Sequence, residues 1–569
     1  MSEGSQFLDL CALMEKLEST KKRGDMVQDV AEFLRRMLKE ELLPTTLFLV
    51  GKVFPSSDER TLDISGSTLW RVALRVTSAK PEDLGKAFDE TGDFGDAVKN
   101  VLLKKSSLTT QDTLLSRPSL TILEVKRQLN DLAEVSGEGS KKRKERIIEG
   151  LLARASPAEA KFIIRMILGE TRTGFQEGLL IEAVSKAFNM SADLVRRATM
   201  IAGEVGIVAE AALDGGQPAV SSMQLEPFRV IKPMLAAVAA GVEEALAEHG
   251  GTSSFEYKLD GARVQIHVLG GVIRIWSRRL TEVTGSLPDM VEFIKTKLGM
   301  HSSILEGEVV AMGRDGRPLP FQHLMRRFRR KHEIDESIQK VPTELYLFDI
   351  LYIDGESLID KPYTERRRRL SELADTLRLV DNLVTSDANA ARSLLGNAIK
   401  LGHEGLVAKA LDGPYTPGTR GRKWLKIKQV MEPLDLVITE AEYGYGRRHE
   451  WLSDYTLSAF DEETGRFMPL GKTFKGLTDQ EIKEMTSRLK SLMITKRGRK
   501  IILKPEVVVE VAFNEIQESP KYESGMALRF ARITRLRLDK SPNEADTITR
   551  VRSLYKDQFV HKATLKRDE

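Results

Sequence analysis

The chain has a single cysteine, Cys11, among its 569 residues. One thiol excludes an internal disulfide framework and any four-cysteine zinc site, and it suits a reducing compartment. Long apolar runs are missing too. The most hydrophobic stretch, "PMLAAVAAGV" at 233–242, falls far short of the about 18 to 20 residues that span a bilayer. The opening "MSEGSQFLDLCALMEKLE" has no basic segment followed by an apolar run, so no secretory signal is read from it. These absences predict a chain that works away from membranes, in the cytoplasm, or in the nucleus if the source is eukaryotic. A surplus of one charge is also lacking: Lys+Arg number 87 against Asp+Glu 83, a net of +4. Bulk charge therefore selects no polyanionic partner, and any such argument must come from local clusters. No G-x-x-x-x-G-K-[ST] run occurs, so a bound nucleotide would not be held in the P-loop manner.

Hydrophobic residues make up 41% and charged residues 30%, a soluble, globular composition with ample material for cores. At roughly 100 to 200 residues per domain, the length predicts three or four. From about 7 to 212, segments such as "VQDVAEFLRRMLKEELL" and "AEAKFIIRMILGE" repeat apolar residues at helical spacing, which predicts an all-α region. The breaker-rich "LDGGQPAVSSMQLEP" at 213–227 reads as a linker. Beyond it, "FEYKLDGARVQIHVL", "SSILEGEVVAM" and "ELYLFDILYIDG" alternate in the strand manner between helical stretches, an α+β texture. After "MEP" at 431–433, short strands separated by glycine-rich turns predict a small β-barrel. The expected division is 1–218, 219–430 and 431–569.

In "FEYKLDGAR", strand alternation puts Glu256, Lys258 and Asp260 on one face. Taken alone, that is a solvated face with local charge pairing. The same format recurs: "ILEGEVV" pairs Glu306 with Glu308, and "WLKIKQV" pairs Lys426 with Lys428. Paired acids, paired lysines and a flanked lysine at period two are what a strand-built phosphate pocket needs. Lysines neutralise phosphoryl oxygens and carboxylates hold a divalent metal, while a desolvated lysine beside other cations has its pKa lowered enough to attack.

Seven motifs then follow in order: "KLDGAR" at 258–263, "SRR" at 277–279, "LEGEVV" at 305–310, "YLFDILYIDG" at 346–355, "EGLVAK" at 404–409, "WLKIK" at 424–428 and "ALRFARITRLRLDK" at 527–540. In this order they resemble the ATP-dependent DNA ligases, most nearly the archaeal and eukaryotic replicative type. The helical part is similar to the DNA-binding domain of that family through "GEGSKKRKERIIEGLL" and "ILGETRTGFQEGLLIEA". The resemblance implies a multi-domain fold: an all-α DNA-binding domain, an α+β nucleotidyltransferase (adenylation) domain and a C-terminal OB-fold β-barrel. It implies the sealing of nicks in duplex DNA during replication, repair and recombination, through a covalent lysyl-AMP and a DNA-adenylate. The implied cofactors are ATP and Mg²⁺, or another divalent cation such as Mn²⁺.

Carried over residue by residue, the resemblance makes Lys258 the nucleophile and Glu256 the adenine contact. Arg263 and Arg278 serve the ribose and phosphate surroundings, and Phe348 stacks on the base. Glu308 and Glu404 hold the metal, Lys426 and Lys428 grip the α-phosphate, and Arg420 and Trp424 complete the pocket wall. Spacing alone reads Phe348 and Trp424 as core residues, and Arg422 competes with Arg420. In the last motif, Arg535, Arg537 and Asp539 fall on one strand face, with Arg529, Arg532 and Lys540 nearby. The resemblance implies that this motif swings over ATP to orient the leaving pyrophosphate. Ala531 stands where the family often has proline, a departure with no evident consequence for function.

The implied partner is nicked double-stranded DNA, met by basic runs at 141–146, 325–332, 445–451 and 495–500, which would bind phosphates without reading sequence. A monomer is expected. A PCNA-like sliding clamp is a further implied partner, through "SSLTTQDTLL" at 106–115, which has the glutamine but no aromatic pair. RNA ligases and GTP-using capping enzymes share the Lys-x-Asp-Gly motif, but the large helical region and the form of the last motif argue against both. An NAD-dependent ligase would need the excluded zinc site. A non-catalytic nick-binding protein would be expected to have lost Lys258 or a metal carboxylate, and all are present.

Overall fold

The computed structural model describes residues 4–563, apart from 59, 109–118, 171, 299–300, 329–339, 374–376 and 429–430. Among the described residues, twelve helices lie between Phe7 and Ser221 and share one buried apolar cluster. Local chemistry explains their ends. Ser156 and Glu159 form a reciprocal capping box, Pro157 supplies a preset φ in the first turn, and Gly169 ends the helix Pro157–Leu168 in the left-handed region at φ 73°. That helix is buried on nearly every side, so its Lys161 and Arg165 need partners. They find Glu18, Asp96 and, for Arg165, Asp93.

The stretch read as a linker from 213 is helical to 221. The helix Val205–Ser221 bends at Gly216, where φ 60° and ψ −151° are open to glycine, and Pro218 then sits in the first turn of the resumed helix. Breaker residues here mark a kink, and the extended connection begins only after 222.

The middle of the chain holds two five-stranded sheets. One is built from β1 (Leu235–Val238), β2 (Ser253–Lys258), β8 (Asn382–Thr385), β9 (Gly405–Lys409) and β10 (Arg420–Lys428), in the order β1-β10-β9-β2-β8. The other uses β3 (Ala262–Leu269), β4 (Val272–Ser277), β5 (Ser303–Ala311), β6 (Thr343–Ile353) and β7 (Glu356–Ser357), in the order β4-β3-β5-β6-β7. The chain crosses from one sheet to the other at residues 259–261, inside "KLDG". Leu259, Phe348, Tyr415 and Trp424 belong to one buried apolar cluster fed by strands of both sheets.

The last part is the strand-built unit that the composition predicts. Its main sheet contains β11 (Leu434–Tyr443), β12 (Leu452–Asp461), β13 (Arg466–Thr473), β14 (Met493–Arg497), β15 (Lys500–Ala512) and β18 (Arg532–Leu536). The order is β13-β12-β11-β15-β14, with β18 also on β15. Among the described residues this ladder does not close into a barrel, and β16 (Glu515–Glu518) with β17 (Met526–Arg529) forms a separate pair. The unit touches both others. Tyr445 packs on Phe88 of the helical region, ring centroids 6.3 Å apart, while Gly446 N–H donates to Gly92 C=O at 3.2 Å. Lys562, past the final helix Ile548–Asp557, pairs with Asp260 of the middle part.

The basic runs are less uniform than their sequences suggest. Lys144 is buried and donates to Leu62 C=O at 2.8 Å. Arg327 is buried against Asp289, Thr343 and the Val341 carbonyl, while 329–332 of the same run lie outside the described residues. Arg448 is held by Asp479 at 2.5 Å. Of the segment at 106–115, residues 109–115 lie outside the described residues. No described helix is long and apolar enough to cross a membrane.

Candidate active site

Lys258 closes β2 at the edge of the crossover, and its backbone C=O accepts from Glu404 N–H at 2.9 Å, which sets the two side chains together. Lys258 Nζ lies 2.8 Å from Glu404 Oε2, and Lys428 pairs with the same oxygen. Burial opposes ionisation of Glu404, but Lys258 and Lys428 hold its pKa well below the ordinary carboxylate range.

Lys258 differs from the sequence expectation of a lowered pKa. Burial does pull it down, but Glu404, Glu308 and Asp260 outweigh burial and the net displacement is upward. Lys426 is lowered, through burial first and then the charges of Arg420, Lys428, Lys258 and Arg278, and burial lowers Lys409 as well. Five of the predicted cations, Lys426, Arg420, Lys428, Lys258 and Arg278, thus share one electrostatic neighbourhood. Arg422, the competitor of Arg420, is tied elsewhere, 2.6 Å from Glu244 and 2.7 Å from Glu248.

Glu308 projects from β5 into the same neighbourhood. Burial pushes its carboxyl up to about 7, against the pull of Lys258 and Arg263. Gly261 explains how it comes so close: a Cβ at that position would overlap Val309 C=O and lie 2.8 Å from Glu308 Cγ. Glu306, its partner in sequence, has a different position. It is 1% exposed and pairs with Arg263 Nη2 at 2.6 Å. Arg263 also donates to Met234 C=O at 2.6 Å, and its guanidinium lies 5.3 Å from the Phe348 ring centre and 5.5 Å from that of Trp424. Arg278 shares a crevice with Arg263, Glu306 and Pro233.

On the inner side, Glu256 is 2% exposed. Its Oε2 is 2.7 Å from Lys409 Nζ, and its Oε1 accepts from Tyr363 OH at 2.6 Å. The Lys409 ammonium lies 4.9 Å from the Phe348 ring centre, 4.5 Å from Trp424 and 5.0 Å from Tyr363. The Phe348 and Trp424 rings meet edge to face at 6.1 Å. Behind them Arg366 and Asp349 form a fully buried pair at 2.8 Å.

The structure thus brings Lys258, Glu308, Glu404, Lys426 and Lys428 together, and gathers Glu256, Phe348 and Trp424 around Lys409, with Arg263 near the same two rings. Sequence reasoning did not single out Lys409, Tyr363, Arg366 or Lys562. Lys409 was visible as the last letter of "EGLVAK", but Tyr363 and Lys562 lie outside every motif. Three cations of the last motif are engaged within their own unit, Arg535 with Glu510, and Arg537 and Lys540 with Asp435, while Arg529 pairs with Glu515 and lies 5.7 Å from the Phe321 ring centre of the middle part. Arg537 and Asp539 lie beyond the end of β18.

Glu308 and Glu404 offer hard oxygen donors near Lys258, which suits a hard divalent cation. Among the described residues no group of three or more His, Cys, Asp or Glu side chains could hold an ion. A cation that takes one or two carboxylates and completes its shell with phosphates and water fits this donor set.

Comparison with known proteins agrees along the whole chain. Residues 6–185 match a family model described as DNA ligase N terminus, 233–428 the ATP dependent DNA ligase domain, and 448–540 the ATP dependent DNA ligase C terminal region. The DNA ligase of Thermococcus fumicolans is 44% identical over 97% of this chain and 98% of its own length. DNA ligase 1 of Korarchaeum cryptofilum is 45% identical, over 97% and 98%. The solved structure described as Pmar-Lig_PreS3 covers 93% of this chain and 99% of its own, at a TM-score of 0.58 and 18% identity, a likeness of fold.

Proposed function

Since this chain belongs to the ATP-dependent DNA ligase family, we propose that Lys258 is the nucleophile of its self-adenylation and that the residues gathered around it serve that step. The observation that carries the reading is the convergence of Lys258 and Lys428 on one Glu404 oxygen at the crossover between the two sheets. Lys258 Nζ attacks the α-phosphorus of ATP, a nitrogen–phosphorus bond forms, and pyrophosphate leaves with the electrons of the broken bond. AMP then passes to the 5′-phosphate of a nick, and the 3′-hydroxyl attacks that phosphate and releases AMP.

Charge grows on phosphoryl oxygens in each step, so fixed cations contribute more than acid–base groups. Lys426 and Lys428 face the α-phosphate, with Arg420 at the rim. Phe348 and Trp424 form the base-binding wall, Glu256 meets the adenine, and Arg263 and Arg278 support the ribose side. Glu308 and Glu404 would hold Mg²⁺ or Mn²⁺, which would supply positive charge at the phosphates. Lys258 attacks through its neutral amine.

The division at 1–218, 219–430 and 431–569 into DNA-binding, adenylation and OB-fold domains belongs to the same reading. So do a cytoplasmic monomer and contact with a sliding clamp through 106–115. The test is incubation with α-labelled ATP and Mg²⁺. Label that survives alkali and is released by acid, as a nitrogen–phosphorus bond requires, should appear on the polypeptide and be absent from Lys258→Ala; equal labelling of the two would refute the nucleophile.

A further inference from the structure

Glu256 is held by more than the sheet that carries it. Its Oε1 accepts from Tyr363 OH at 2.6 Å, and Arg367 Nη1 approaches the same oxygen at 3.8 Å. Both come from the helix Tyr363–Leu373, four residues apart and so on one face. Lys409 Nζ holds the other oxygen at 2.7 Å. Tyr363 is 1% exposed, and its hydroxyl has one further neighbour, Ser254 Oγ at 3.4 Å. Its ring is also part of the aromatic surround of Lys409.

We propose that Tyr363 is a positioning residue for base recognition, its hydroxyl fixing the Glu256 carboxylate as an acceptor that admits a purine amino group and excludes a purine carbonyl. The inference rests on the reading that Glu256 meets the adenine. A carboxylate has about four acceptor sites. Tyr363 and Lys409 occupy one on each oxygen, so whatever faces the base is a lone pair. The Tyr363 hydroxyl and the Lys409 ammonium both donate to the carboxylate, so the edge left toward the base accepts from a 6-amino group, while a 6-oxo group there would meet a second acceptor. Lys409 by itself leaves the carboxylate free to turn about its last torsion. The Tyr363 hydroxyl supplies the second fixed point, from a different structural element.

Self-adenylation of the full chain under single-turnover conditions tests this with three nucleotides. ATP carries the 6-amino group, purine riboside triphosphate carries nothing at that position, and GTP carries an oxygen. Tyr363→Phe keeps the ring and removes only the hydroxyl. Its KM for ATP should rise about tenfold with a much smaller change in the saturating rate, as expected for one charge-assisted hydrogen bond. Use of purine riboside triphosphate should stay within about twofold of wild type, and the preference for ATP over GTP should shrink by about tenfold. Because each comparison is a ratio within one preparation, partial loss of folded protein cancels. If Tyr363→Phe lowers the use of all three nucleotides by one common factor, or leaves every ratio unchanged, the inference is overturned. Glu256→Gln separates this from the underlying reading. If Glu256→Gln discriminates among the nucleotides as wild type does, the adenine contact itself is wrong; if it loses the preference while Tyr363→Phe keeps it, only the role of Tyr363 fails.

Discussion

Replacing Glu306 and Glu308 by glutamine, one at a time, should move stability in opposite directions although the two lie two residues apart on β5. Glu306 is 1% exposed and 2.6 Å from Arg263, so Glu306→Gln leaves a buried guanidinium without its counter-charge. The remaining neutral hydrogen bond offsets part of that, and the expected loss is about 2 to 3 kcal/mol. Glu308 is strained electrostatically in the folded state. Burial lifts its pKa from 4.5 to about 7, and at about 1.4 kcal/mol per pH unit that is about 3 kcal/mol, which partial exposure reduces to about 2. A carboxyl raised on folding favours the native state in acid, so this penalty is absent below pH 4.5. It develops as pH rises toward about 7 and is complete above. Glu308→Gln should therefore be more stable than wild type at pH 8 and nearly equal to it at pH 4.5, while losing Mg²⁺-dependent self-adenylation. Denaturant titrations at the two pH values, followed by the emission of the four tryptophans, of which Trp276 and Trp424 lie in the middle part, read both effects. A Glu308→Gln variant no more stable than wild type at pH 8 would refute the electrostatic reasoning, as would a Glu306→Gln variant as stable as wild type.

Gly261→Ala should destabilise the crossover and abolish self-adenylation, because the added methyl overlaps Val309 C=O and crowds Glu308; retention of near-wild-type labelling would show that the strands can separate there. Lys426→Ala should slow self-adenylation by about 10² to 10³, the usual scale for removing one stabilising charge, while gel-shift affinity for nicked DNA stays near wild type. His267 is buried, accepts from Phe228 N–H at 2.8 Å, and has its pKa pushed down to about 3 by burial. It cannot take the proton that the unfolded chain takes near pH 6.5. Stability should therefore fall between pH 6.5 and 3 by about 1.4 kcal/mol per pH unit for this group, and a His267→Asn variant should show a shallower acid limb in denaturant midpoints.

Much of this protein is legible in its sequence, for physical reasons. Helical periodicity fixed the first two hundred residues as α, and period-two charge placed Lys258, Glu308, Lys426 and Lys428 on strands facing one neighbourhood. What periodicity could not show is which of two neighbouring acids is structural. Glu306 and Glu308 look alike in "ILEGEVV", and only Arg263, arriving from β3, separates them. Breakers misled at 213–221, because Gly216 and Pro218 bend a helix that packing maintains. Tyr363 and Lys562 carried no local signal. Each reaches its partner from a segment remote in sequence, 107 residues from Glu256 and 302 from Asp260. The raised pKa of Lys258 was likewise hidden, since it depends on three carboxylates from three parts of the fold.

One covalent bond, between Lys258 Nζ and the AMP phosphorus, carries the proposed chemistry. Wild-type protein incubated with ATP and Mg²⁺, digested at neutral pH and mapped by mass spectrometry, should carry AMP on the peptide containing Lys258 and on no other. AMP found instead on a peptide containing Lys426 or Lys428, with the Lys258 peptide unmodified, would contradict it.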